Sequence, residues 1–158
     1  MLIGRMTAGL LSLVAIAAPA AHAELVVDDS GLVRAMLADG EYVPALLDIW
    51  IPAQGWSTRA TLRDLEERDV ERHAQGGSWT GVLRSGGGRY SVNVTISEAP
   101  DGAHWLATVE CLEPGDVEGV HLALVLPTEA FGGGTVAAPG QDEAAMPARA
   151  PAEPHFYT

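Results

Sequence analysis

Lysine is absent from the 158 residues, and nine arginines stand against 21 acidic residues, for a net charge of −12. Phosphate recognition needs clustered positive charge, so this balance argues against nucleic-acid binding. It argues equally against docking onto an anionic membrane surface. The single cysteine, Cys111, allows neither an internal disulfide nor a cysteine-rich zinc site. His73, His104, His121 and His155 form no HxH or HExxH spacing, so no metal site is nominated and they read as strand or loop histidines. No serine sits in GxSxG, no glycine run is followed by the lysine of a phosphate-binding loop, and no EF-hand pattern occurs. No cofactor is implied, and no catalytic residue is nominated. Acidic pairs such as Asp28-Asp29, Glu66-Glu67 and Glu98 with Asp101 are expected to solvate the surface. A small carboxylate-dependent hydrolase stays open as an alternative.

Residues 1–23 read as an export signal. Arg5 is followed by an apolar run from about Ala8 to Ala18, then Pro19 and Ala21-His22-Ala23. Small residues at Ala21 and Ala23 fit cleavage before Glu24. The run is too short for about 30 Å of hydrocarbon at 1.5 Å per residue, which argues against a stable membrane anchor. The expected location is therefore periplasmic or secreted.

Beyond Glu24 the main signal is alternation with period two, the pattern of strands with one buried face. Tyr90, Val92, Val94 and Ile96 share a face, as do Trp105, Ala107, Val109 and Cys111. Val43, Ala45, Leu47, Ile49 and Ile51 form a third set, with Asp48 and Trp50 opposite. Residues 120–126 are apolar on both faces apart from His121, as a strand in the middle of a sheet would be. Weaker strands are expected at 25–27, 32–37 and 79–84, with turns at Asp39-Gly40, Asp101-Gly102, Pro114-Gly115 and Gly86-Gly87-Gly88. Short strands at this spacing predict a mainly β protein, an antiparallel β-sandwich over 24–135. Residues 57–74 fit either a short helix capped by Thr58 or a pair of exposed strand edges. Residues 136–158 hold Pro139, Pro147, Pro151 and Pro154 among alanines and acids, and predict a linker or disordered tail.

Cys111 is expected to be buried and inert, because Glu110 and Glu113 disfavour a thiolate. Asn93-Val94-Thr95 matches a glycosylation sequon mid-strand, a chance match on this reading. Trp79 and Trp105 are expected in the core. Trp50 and Trp56 are the candidate ligand-binding residues, because an exposed planar indole stacks on the apolar face of a sugar ring.

In order along the chain come Trp79-Thr80-Gly81-Val82-Leu83, the strand Tyr90–Ile96, Trp105–Glu110, Gly119–Pro127 and Phe131-Gly132-Gly133-Gly134. This order resembles the N-terminal β-sandwich that precedes the catalytic domain in some secreted bacterial glycan-degrading enzymes, hydrolases and lyases among them. The resemblance covers about residues 24–137. It implies an accessory module whose partners are a glycan or a following catalytic domain. The family's catalytic residues belong to that following domain, so none is carried over. The chain then reads as the front of a longer protein, or as a sandwich that acts as a protein-interaction domain through an exposed strand edge.

Overall fold

The computed structural model describes residues 10–13, 23–38, 41–74, 76–99, 102–127, 129, 132–133, 135–136 and 144–145. The protein is mainly β, with two antiparallel sheets packed against each other. The strands are β1 (Leu10–Leu13), β2 (Ala23–Val27), β3 (Val33–Ala38), β4 (Glu41–Pro52), β5 (Arg59–Ala60), β6 (Glu66–His73), β7 (Gly76–Ser85), β8 (Gly88–Ala99), β9 (Gly102–Glu113), β10 (His121–Val125), β11 (Thr135–Val136) and β12 (Ala144–Ala145). The first sheet has the order β1-β9-β8-β7-β6 and the second the order β10-β4-β3-β2, with β5 pairing to β4. β11 and β12 pair with each other; other residues of the expected tail, and those of the expected signal apart from Leu10–Leu13 and Ala23, lie outside the described residues. So do Asp39-Gly40, Asp101 and Ala21.

Alternation produces the core directly. Tyr90, Val92, Val94 and Ile96 of β8 are all buried, in one core cluster with Leu47, Ile49 and Ile51 of β4, Val33 of β3 and Leu32 just before it. Each such side chain removed from water contributes about 1.5–3 kcal/mol before chain entropy is counted. Trp79 and Trp105 are 3% and 4% exposed, as expected of core residues. Trp79 packs on the turn before β3, where a side chain at Gly31 would lie 2.9 Å from the indole, at a φ of 81° that already favours glycine. The β7–β8 hairpin closes at Gly86 and Gly87, whose φ values of 56° and 78° are the two positive angles a type I′ turn demands. Across the sandwich, the Ser85 hydroxyl donates to the Ile51 carbonyl at 2.7 Å and ties β7 to β4.

Three expectations are corrected. β10 is an edge strand, not a central one. Its second apolar face is explained by cover from the segment after β4: Ala123 lies opposite buried Asp48, and His121 lies against Trp56. Cys111 is exposed. The last four residues of β9 are all exposed, so alternation there no longer has an opposing layer to face. Asp48 and Trp50, on the face opposite the core set, are buried and half-buried for the same reason as β10.

The ambiguous segment 57–74 resolves into strand and turn. β6 is exposed at every residue, and the helical content is a single 3-10 turn at Leu62–Asp64. Thr61, rather than Thr58, caps that turn: its backbone N–H and its hydroxyl both donate to the Asp64 carboxylate at 2.9 Å. Leu62 and Leu65 anchor the segment in the core.

Candidate functional site

The site is built on the chain between β4 and β5. Pro52 ends β4, and a 3-10 turn over Gln54–Trp56 carries Trp56 outward. That turn is fastened to the loop before β10. The Gln54 N–H donates to the Asp116 carbonyl and the Glu118 N–H to the Pro52 carbonyl, each at 2.9 Å, while the Gly55 N–H donates to the Glu118 carboxylate. Within the turn the Trp56 N–H reaches the Ala53 carbonyl at 2.9 Å.

Trp56 is 45% exposed, and its backbone sits at φ 56°. A bulky L-residue in the left-handed region is strained, at a cost of about 1–2 kcal/mol relative to the right-handed form. The neighbouring backbone bonds hold it there. Its indole packs against the His121 ring at 5.2 Å between centroids and 45° between planes. His121 in turn pairs with Trp50 across β10 and β4. The two tryptophans nominated from the sequence are therefore neighbours of one histidine.

They are not equivalent. The Trp50 indole N–H donates to Asp48 at 3.1 Å, and the Arg59 guanidinium lies 4.0 Å from its ring centroid. One face of Trp50 is thus taken by a cation–π contact. What Trp50 presents outward on that side is Arg59. Trp56 keeps the exposed aromatic surface.

Asp48 organises the base of this arrangement. One carboxylate oxygen accepts the Ile49 N–H at 2.8 Å and the Leu62 N–H at 3.0 Å, and the other accepts the Trp50 indole. Burial pushes its carboxyl above the ordinary value, against the pull of these three donors. It is a brace joining β4, the Leu62 turn and Trp50.

Beside Arg59 opens a pocket of about 430 Å³, lined by Thr58, Arg59, Ala60, Asp64, Arg84, Ser85, Gly86 and Gly87. Arg84 donates to Glu66 at 2.8 Å, and that hydrogen bond raises its pKa. The lining offers guanidinium donors, a carboxylate and hydroxyls around a glycine turn that leaves space at Gly87. Such a set hydrogen-bonds a polyol. Among the described residues no group of three or more His, Cys, Asp or Glu could hold a metal ion.

Of the other sequence candidates, Glu24 is exposed on β2, directly after Ala23. Asp28 belongs to a turn: burial raises its carboxyl, but bonds from the Ser30 hydroxyl and N–H and from Arg34 outweigh that and hold it low. Reading the sequence alone missed Arg59, Arg84 and Asp48. The available signal was compositional: in a chain without lysine, each planar guanidinium is suited to stack or fork where an ammonium is not. No family model matches the chain, and no curated protein or solved structure matches it either.

Proposed function

We propose that the protein is an exported, non-catalytic β-sandwich module that binds glycan on the surface around Trp56 and the adjoining Arg59–Arg84 pocket. The observation that carries this reading is Trp56 itself, a large indole held exposed in left-handed backbone. Strain of this kind persists only where surrounding structure enforces it, and it gathers at ligand sites. The sugar's apolar face would lie on Trp56, and its hydroxyls would reach the guanidiniums and hydroxyls of the pocket. On this reading export follows from the signal at residues 1–23, and an accessory place ahead of a catalytic domain follows from the resemblance described above.

The test is a glycan array probed with the exported chain, with Trp56→Ala and Trp56→Gly alongside. Binding should be lost in both variants. Both variants lose the packing on His121, but glycine adopts φ 56° without strain, so Trp56→Gly should lower the thermal midpoint less than Trp56→Ala while abolishing binding equally. Retained binding in both variants, or no glycan retained by the unaltered chain, overturns the reading.

A further inference from the structure

β9 is twelve residues long, and only four of them, Trp105 to Thr108, are paired on its outer side, by β1. β1 lies within the segment read as the export signal. Cleavage before Glu24 would remove it and leave the outer edge of β9 without a paired strand, with β2 of the other sheet close by. That edge carries no Asp, Glu or Arg from Ala103 to Val109, and within it Leu106, on the face away from the core, is 40% exposed. A long, uncharged edge exposing apolar side chains is a template for another strand. β1 shows the chemistry that fits it: an uncharged, antiparallel segment, Leu-Leu-Ser-Leu.

We infer that in the processed protein this edge pairs with β9 of a second copy, making one antiparallel sheet that runs through a dimer. The inference rests on the signal reading, because β1 lies upstream of the cleavage point. A two-fold axis perpendicular to the sheet keeps inner faces on one side, so residues opposite each other must share a face. With the axis at Ala107, Trp105 faces Val109 and Leu106 faces Thr108, pairing bulky side chains with smaller ones. The same register sets His104 opposite Glu110, so the only acidic residue of this stretch faces a polar imidazole rather than a second carboxylate or an apolar side chain. Moving the axis to Thr108 sets Glu110 against Leu106, which is poorer. Such pairing is strand addition between copies, closed by the symmetry.

The experiment exports the full chain with its own leader, determines the N-terminus by intact mass, and follows self-association by sedimentation velocity. A product beginning at Glu24 should form a concentration-dependent dimer. Leu106→Lys places a charge on the edge without entering the core, and should weaken the dimer at least tenfold with an unchanged circular dichroism spectrum. A peptide of residues 8–15, which contains β1, should compete and return the unaltered protein to monomer. A Glu24 product that stays monomeric, a dimer that survives Leu106→Lys, or open-ended polymers would each overturn the edge proposal while leaving the signal reading intact. A product that keeps residues 1–23 overturns both.

Discussion

The two edges of the first sheet solve the same problem by opposite means. β6 is exposed along its whole length, and every residue in it except Val70 is charged or histidine. Its charges are engaged locally: Glu66 with Arg84, Glu67 with Arg89, Arg72 with Asp29, and Arg68 donating to the Leu65 and Arg63 carbonyls. A strand from another molecule would have to desolvate or displace these groups, so the edge guards itself. β9 has no such guard near its middle, where a separate strand, β1, sits instead. The charged edge is permanent. The uncharged edge is covered by a segment that the signal reading makes removable. Edge composition therefore separates a strand that ends the sheet from one that extends it.

The comparison is sharpened most by asking where the β6 side gets its stability. The answer from the structure is the layer beneath, since Trp79 on the neighbouring strand is buried between Gly31 and the Arg72 guanidinium, which lies 5.9 Å from its ring. Trp79→Ala should lower unfolding free energy by about 3–5 kcal/mol in urea titration. Val70→Ala, on β6 itself, should stay within about 0.5 kcal/mol of the unaltered protein. Comparable losses in the two variants would mean that β6 packs as a core strand and that its charges are incidental.

A second, smaller effect separates the edges by their roots. β6 follows directly on the Leu62 turn, and Asp48 fastens that turn to β4. Asp48→Ala orphans buried donors and should cost about 1–3 kcal/mol, with faster amide exchange in β6 than in β9. Because burial raises the folded-state pKa of Asp48 above its ordinary 3.8, its contribution is fully present below that value and is lost as pH rises through the raised one. Asp28 behaves oppositely. Held low by Ser30 and Arg34 despite burial, it contributes above 3.8 and loses that contribution as pH falls through its lowered pKa. In urea midpoints measured from pH 3 to 7, Asp48→Asn should remove a loss of stability on the rising side. Asp28→Asn should remove a gain.

Legibility followed the same division. The core strands were readable because one buried face imposes period two, and β8 obeys it from Tyr90 to Ile96. β6 resisted reading because an edge strand lying outside the core has no buried face to impose a period, and its charged residues are equally good helix formers. Trp56 was nominated from the stacking chemistry of its indole, and the structure places it exposed. What sequence could not supply was the fold-back of residues 54–65 over β4, which buries Asp48 and sets Arg59 on Trp50. Those contacts depend on where the chain turns, and no local pattern encodes that.

The smallest expected change comes from Arg84, and it divides stability from binding. Its bond to Glu66 joins β7 to the charged edge, but the two side chains are 52% and 50% exposed. Water screens such a pair, so Arg84→Ala should leave the urea midpoint almost unchanged, and more nearly so in high salt. The same guanidinium lines the pocket beside Arg59. If that pocket receives sugar hydroxyls, the variant should lose glycan affinity well beyond its loss of stability, because a bound polar group would be left without its donor. Equal and small effects on both would assign Arg84 to guarding the β6 edge alone, and would confine glycan recognition to Trp56 and the residues around it.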